Sequence, residues 1–108
     1  MNWVEIPAHF LSTDRIQRVA LFGKTFCLAF WDGKYVAFSL KCPHAKAPLY
    51  QGWIAEGYVV CAYHRQRFDL QTGKGEVGQG NFIDIYPTKE IDNKWYVGLK
   101  KSFWQKIF

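Results

Sequence analysis

Two short segments of the sequence each place a cysteine close to a histidine. The first has the order Cys-x-His at Cys42 and His44, and after sixteen intervening residues the second has Cys-x-x-His at Cys61 and His64. Thiolate sulfur suits zinc and iron–sulfur clusters, whereas imidazole nitrogen suits zinc and iron. Two such pairs brought together by a β-hairpin would give four ligands around one compact site. We therefore predict that all four side chains bind metal.

A purely structural role for these residues is the alternative. A buried cysteine is usually a small apolar residue, and an isolated histidine is usually an ordinary surface or core residue. The paired order of the four residues, in segments that also contain proline and glycine, favours ligation. The residues alone leave the metal open between an iron–sulfur cluster and a structural zinc ion in a tetrahedral site.

The elements that would carry these ligands are short β-strands. Apolar, β-branched and aromatic runs alternate with turn signals at close spacing, which is typical of an antiparallel β-sandwich. Turns are predicted at Gly23-Lys24, Asp32-Gly33 and Asp92-Asn93-Lys94. The predicted strands cover residues 16–21, 25–31, 35–40, 53–55, 58–60, 67–70, 82–86 and 95–99.

The amino-acid composition changes between residues 41 and 80, where glycine and proline become frequent. The three strands before this stretch form a predicted meander, and regular strands resume after it. We predict a single domain over residues 1–108, with a base formed by residues 1–40 and 81–108 and an insert at 41–80 that bears the ligands. The aromatic tail at 102–108 is expected to pack on the base as a short turn or helix.

The stretch CPHAKAPLYQGWIAEGYVVCAYHRQRFDLQTGKG, residues 42–75, resembles the cluster-binding segment of the Rieske ferredoxin family. The resemblance implies an all-β Rieske iron–sulfur domain: an antiparallel β-sandwich base with a small inserted cluster-binding subdomain. It also implies one 2Fe-2S cluster, with Cys42 and Cys61 on one iron and His44 and His64 on the other. Two neutral imidazoles in place of two thiolates would raise the reduction potential above that of an all-cysteine ferredoxin.

Family members with high potentials carry an extra disulfide, and a serine and a tyrosine that donate hydrogen bonds to the cluster. The positions that match these features here are Ala47, Tyr63, Gln66 and Phe68. No disulfide can form between Ala47 and Tyr63, and Phe68 has no hydroxyl group. We therefore expect a potential at the low end of the Rieske range.

Three residues depart from the common family pattern. Lys46 and Arg65 stand where a glycine often follows each ligand pair, and Asn81 stands where a proline usually covers the cluster. These departures leave the ligands in place but make the conformation of the loops an open question.

Composition limits the remaining possibilities. The chain has 108 residues, of which 49% are hydrophobic and 19% aromatic, so it can bury a core of its own. Three cysteines, an odd number, fit a reducing compartment. With neither an apolar run of about 18 residues nor a leader pattern, we expect a cytoplasmic protein without a membrane partner. The charge of +5 is scattered, which favours an acidic protein partner over nucleic acid.

Three further signals are interpreted as structural. Gly73-x-Gly75-x-x-Gly78 follows no long buried strand and leads into no helix, so it is predicted to be a loop. Cys27 lies inside a predicted strand and is expected to be a small buried residue. His9 is the only histidine outside the two pairs, so the chain lacks the two further histidines that a non-haem oxygenase site would require.

The resemblance therefore implies an electron carrier rather than an enzyme acting on a substrate. Its partners would be a reductase and a terminal oxygenase of the aromatic-ring dioxygenase type, or a similar acceptor, docking at the face of His44 and His64. Two alternatives stay open. One is a Rieske-like small subunit of a larger redox enzyme such as nitrite reductase, and the other is a structural zinc module.

Overall fold

The computed structural model of the chain describes residues 2–43, 46–63, 65–76 and 80–99. These residues form ten strands and two single-turn 3-10 helices, Ala8–Phe10 and Leu49–Gln51. The predicted all-β fold is confirmed. The strands are β1 (Asn2–Glu5), β2 (Gln17–Leu21), β3 (Lys24–Trp31), β4 (Lys34–Ser39), β5 (Trp53–Ala55), β6 (Tyr58–Val60), β7 (Arg67–Asp69), β8 (Ile85–Tyr86), β9 (Thr88–Ile91) and β10 (Lys94–Leu99).

The strands form three antiparallel sheets. The central sheet has the order β2-β3-β4-β8, a second sheet has the order β1-β10-β9, and a third has the order β5-β6-β7. The first three strands of the central sheet follow one another along the chain, as the predicted meander requires. The β5-β6-β7 sheet lies within residues 41–80.

Four hairpins are closed by two-residue turns in which both residues have positive φ angles. These turns are Phe22-Gly23, Asp32-Gly33, Glu56-Gly57 and Asp92-Asn93. This left-handed geometry is that of the type I′ turn, whose twist matches the twist of the flanking strands. The predicted turn at Gly23-Lys24 is therefore wrong by one residue, because Lys24 already pairs with Leu21.

The side chains of β3 alternate between two separate cores, since successive residues of a strand point to opposite faces. Phe26 and Leu28 lie in a core shared with β10 of the β1-β10-β9 sheet. Cys27 and Ala29 lie in a second core on the opposite face. The second core also contains Leu49, Val59 and Phe68, so the central sheet separates this core from the core shared with β10, which we call the base core.

Two strands were not predicted, and one was predicted too long. β1 and β9 are short and carry several polar residues, so neither shows a clear alternating pattern. In the predicted strand at 82–86, Phe82 bridges to Lys74, whereas Ile85 pairs with Phe38 in the central sheet. Within five residues the chain passes from this isolated bridge to a strand of the central sheet, and the ladder is therefore interrupted.

In the part of the chain that the structure describes, no helix is long and apolar enough to cross a membrane. Gly73 has a φ angle of 82° and precedes the bridges at Lys74 and Gly75, so these two glycines lie in a loop as predicted. Gly78 and the tail at 102–108 lie outside the described residues.

Candidate metal centre

The loop that begins at Cys42 is closed by two backbone hydrogen bonds. The Cys42 N–H donates to the carbonyl oxygen of Ala47 at 2.8 Å, and the Lys46 N–H donates to the carbonyl oxygen of Cys42 at 2.7 Å. The chain therefore turns back on itself within five residues and anchors the cysteine by both of its backbone polar groups.

The loop that begins at Cys61 is closed in the same way. The Cys61 N–H donates to the carbonyl oxygen of Gln66 at 2.8 Å, and the Arg65 N–H donates to the carbonyl oxygen of Cys61 at 2.9 Å. In both loops the cysteine bonds to the fourth and fifth residues after it. The two cysteines therefore have matching backbone anchors, although the spacing to the predicted histidine differs between the loops.

Lys46 and Arg65 occupy equivalent left-handed positions in these two loops. Their φ angles are 54° and 56°, in the region that glycine adopts without steric cost. The sequence departs from the family glycine at both positions, but the backbone keeps the conformation that glycine favours. The open question about loop conformation is thereby answered for these two residues.

Cys42 and Cys61 are completely buried, and both belong to the core cluster that contains Leu49, Val59 and Phe68. Both have free thiols, as does Cys27. The structure thus brings the two predicted cysteine ligands to one apolar core beneath two loops. The predicted ligands His44 and His64 lie outside the described residues, so their ligation stays a prediction.

A third segment is tied to the second loop. The Asn81 side-chain amide donates a hydrogen bond to the Gln66 side-chain oxygen at 3.1 Å. The Ile83 N–H donates to the Gly73 carbonyl oxygen at 2.7 Å, and a Cβ atom on Gly73 would lie only 2.1 Å from the Ile83 carbonyl oxygen. Asn81 therefore links its segment to the second loop by a side-chain hydrogen bond, which a proline at this position could not donate.

Cys27 is a buried strand residue, as predicted. Its thiol lies 3.9 Å from the carbonyl oxygen of Leu40, and burial raises its pKa to about 12. A thiol with such a pKa stays protonated at neutral pH, whereas metal ligation requires the thiolate. This environment favours a packing role for Cys27.

The donor set suits an iron–sulfur cluster as far as the described residues show it. Two fully buried free thiols in similarly anchored loops provide soft ligands in a dry environment, and thiolates hold such clusters. Among the described residues, no group of three or more His, Cys, Asp or Glu side chains offers another metal site.

Residues 2–87 match the family model of the Rieske [2Fe-2S] domain. The chain belongs to this family. The resemblance seen in residues 42–75 is confirmed, and the cofactor of this Rieske domain is a 2Fe-2S cluster.

The chain is similar to part of a larger known protein. The 4beta-methylsterol monooxygenase of Methylococcus capsulatus is 38% identical over 68 residues, which are 61% of this chain and 18% of that protein. This Rieske domain thus spans less than a fifth of that relative.

Two solved structures share the fold. The ferredoxin of carbazole 1,9a-dioxygenase from Nocardioides aromaticivorans superposes with a TM-score of 0.79 and 21% identity, over 93% of this chain and 100% of that one. A chain described as an NADH-dependent nitrite reductase small subunit from Mycobacterium tuberculosis superposes with a TM-score of 0.77 and 21% identity, over 89% and 93%.

Sequence reasoning named Ala47, Gln66 and Asn81 only by comparison with the family pattern and did not predict the hydrogen bonds by which they shape the loops. The carbonyl groups of Ala47 and Gln66 and the amide of Asn81 act through backbone closure or a contact between distant segments. The repeated spacing from each cysteine to a cation four residues later, Lys46 and Arg65, is the one signal in the sequence that marks the shared loop geometry.

Proposed function

We propose that this Rieske domain is a one-electron carrier whose 2Fe-2S cluster is held by Cys42 and Cys61 on one iron and His44 and His64 on the other. The observation that carries the proposal is the matching closure of two loops around two fully buried cysteines. Family membership gives the cofactor, and the motif gives two sulfur and two nitrogen ligands. We also propose the division into a base at 1–40 and 81–108 and an insert at 41–80.

The bound cluster would supply one reversible electron, and the protein controls its surroundings. The core around Cys42 and Cys61 is apolar and excludes water from their sulfur atoms. The backbone hydrogen bonds anchor Cys42 and Cys61, which limits movement of these two sulfur ligands when the charge of the site changes. Fixed, dry surroundings at the two sulfur atoms suit electron transfer without substrate chemistry.

The potential is expected at the low end of the Rieske range of about −150 to +300 mV. Phe68 is fully buried in the same core as the two cysteines and offers no hydroxyl donor. Exposed cations at Lys46 and Arg65 would raise the potential. Because solvent screens exposed charges, their effect should be smaller than that of the missing hydrogen bond.

The loops present a basic surface with one large aromatic side chain. Lys41, Lys46 and Arg65 are exposed, and Tyr63 is 62% exposed. An acidic patch on a redox partner would complement these charges and speed the encounter. We propose that a reductase and a terminal oxygenase dock at this end of the molecule, the face of His44 and His64, in the cytoplasm.

The ferredoxin of a carbazole dioxygenase has this fold over its whole length, which supports an oxygenase as the acceptor. The likeness to a nitrite reductase small subunit is nearly as high. It supports a second candidate, in which the domain is a stable subunit of a larger redox enzyme. The two candidates differ in whether the domain leaves its partner between electron transfers.

The ligand assignment can be tested by matched substitutions, since the chain offers a control for each residue type. Cys42→Ser, Cys61→Ser, His44→Ala and His64→Ala should each abolish the visible absorbance and the rhombic EPR signal of the reduced protein. Cys27→Ser and His9→Ala should retain iron and sulfide at the wild-type ratio. A redox titration of the wild type should follow a one-electron Nernst curve.

Two results would contradict the proposal. A colourless wild-type protein with stoichiometric zinc would indicate a structural zinc module instead. Loss of iron in the control variants but not in the ligand variants would show that the ligands were wrongly assigned.

A further inference from the structure

A groove with a volume of about 710 Å³ lies beside the central sheet. We name it the edge groove. Residues 13–18 line one side, residues 29–31 at the end of β3 lie between, and Tyr50 with residues 52–54 lines the other side. None of these residues belongs to the loops at 42–47 and 61–66.

One side of the edge groove is an open strand edge at Phe30. The pairing of β2 with β3 ends at Gln17 and Leu28, whereas β3 continues to Trp31. Trp31 and Lys34 flank a two-residue turn and so form a hydrogen-bonded pair, which directs the Phe30 N–H and C=O toward the side where β2 has ended. The described residues provide no partner for these two groups.

The opposite side is a second open strand edge at Ile54. β5 is the outer strand of its sheet, and Ala55 and Tyr58 flank the two-residue turn Glu56-Gly57. By the same alternation, the Ile54 N–H and C=O point away from β6. They also have no hydrogen-bond partner among the described residues. The groove is therefore flanked by unpaired backbone groups from two different sheets.

Two arginines give the groove its charge. Arg15 and Arg18 both line it and are exposed. Both ion pairs found among the described residues involve Arg67, so neither guanidinium is in a salt bridge there. Asp14 also lines the groove, where a hydrogen bond from the Ser12 hydroxyl at 2.6 Å lowers the pKa of its carboxyl group, and the positive charge of Arg15 lowers it further.

We propose that the edge groove binds an extended acidic segment of a partner protein, which adds a strand beside Phe30 and places carboxylates against Arg15 and Arg18. Successive N–H and C=O groups of a strand match an open sheet edge, which a small molecule cannot do. Acidic side chains complement the two exposed guanidinium groups, neither of which is in a salt bridge among the described residues. Trp53, which is 46% exposed, provides an apolar surface at the same groove.

This contact would be additional to docking at the cluster loops, because the two surfaces share no residues. It would hold a partner while leaving the cluster end free for electron transfer. The inference depends on the described groove and does not require that the proposed ligands or redox partners are correct.

The test uses the cluster-loaded chain and a fluorescein-labelled eight-residue peptide that alternates glutamate and valine. Fluorescence anisotropy at low salt should show saturable binding, and a lysine–valine peptide should not bind. The double variant Arg15→Glu, Arg18→Glu should weaken binding by about tenfold or more, since charge-assisted hydrogen bonds are lost. The matched variant Lys74→Glu, Lys94→Glu has the same change in charge at two exposed lysines that do not line the groove, and it should bind much as the wild type does.

A second peptide tests strand pairing itself. In this peptide alternate backbone nitrogens are methylated. The peptide keeps every carboxylate but loses the N–H groups that would donate hydrogen bonds to the sheet edge, so it should not bind. Hydrogen exchange in the complex should slow at the Phe30 N–H, and unchanged exchange there would contradict pairing at this edge.

Absence of saturable binding, equal weakening by both double variants, or full binding of the methylated peptide would each overturn the proposal. The visible absorbance is recorded in the same samples. Loss of that absorbance in the wild type would count against the proposed electron carrier and would leave the groove to be judged by peptide binding.

Discussion

Gly52 allows a close approach of two chain segments next to Cys61, and its replacement by alanine should damage both stability and cluster binding. A Cβ atom at this position would lie 1.9 Å from the carbonyl oxygen of Val60, the residue before Cys61. The φ angle of Gly52 is −88°, which any residue can adopt. The need for glycine here is therefore steric.

The loss of stability is large because the added Cβ atom would clash with backbone rather than with a movable side chain. Ordinary contact begins at 3.4 Å, so the backbone at Val60 would have to recede by about 1.5 Å. Val60 pairs with Trp53, and a shift of that size breaks the β5-β6 pairing. Overpacking costs about 1–3 kcal/mol, and a clash with backbone belongs at the upper end. At about 4 °C per kcal/mol, the melting temperature should fall by about 12 °C.

Gly33→Ala is the matched control. Gly33 has a φ angle of 80°, but a Cβ atom there would meet nothing within 4 Å. The Gly33→Ala variant should lose only about 1 kcal/mol of stability, or about 4 °C in melting temperature, because of the left-handed backbone strain. Thermal unfolding by circular dichroism, with iron content per chain, separates the two effects. Gly52→Ala should also lower iron content, whereas Gly33→Ala should not. Equal losses of stability and full iron content in both variants would refute the reasoning.

Three further predictions follow from single residues. Lys46→Gly should be about 1 kcal/mol more stable in urea unfolding than Lys46→Ala. Both variants remove the lysine side chain, but only glycine adopts the positive φ angle without steric strain. Equal stabilities would count against strain at this position. Phe68→Tyr should raise the reduction potential by about 40 mV in film voltammetry, because the new hydroxyl can donate one hydrogen bond to the cluster. Phe26→Tyr in the base core should leave the potential unchanged. Equal shifts in the two variants would contradict the proposed position of Phe68 beside the cluster. Because burial raises the pKa of Cys27 from 9.0 to about 12, the folded chain keeps a proton that the unfolded chain releases, so the free energy of unfolding should fall as pH rises above 9, by up to about 1.4 kcal/mol per pH unit. Cys27→Ala should reduce that slope, and an unchanged slope would exclude the thiol as its source.

The hairpins were predictable because their chemistry is local. Asp32-Gly33 is a strong signal for a type I′ turn, and apolar residues that can pack in a core precede and follow it. Asp92-Asn93 has two residues that tolerate positive φ angles. The turn at Phe22-Gly23 was misplaced because phenylalanine rarely adopts the left-handed conformation.

The features that the sequence did not reveal depend on distant partners. β1 has only four residues, and it becomes a strand by pairing with β10 at the other end of the domain. The closure of the two loops is made by backbone groups, and the repeated spacing from each cysteine to Lys46 or Arg65 is its only mark in the sequence. The open edges at Phe30 and Ile54 depend on where neighbouring strands end, which propensity does not determine. The four ligands were predicted from their residue types and spacing, and this assignment stays a prediction because His44 and His64 lie outside the described residues.

The pairing of Asn2 with Leu99 in the β1-β10 ladder has a consequence for how this unit can be built into other proteins. The first and last described strands lie side by side, so a chain can enter and leave the domain at almost the same point. A host protein can therefore carry the unit between two neighbouring residues of one of its own loops without stretching either part. The same closeness should permit circular permutants in which Leu99 is connected to Asn2 by a few residues and the chain is opened at an exposed hairpin such as Asp32-Gly33.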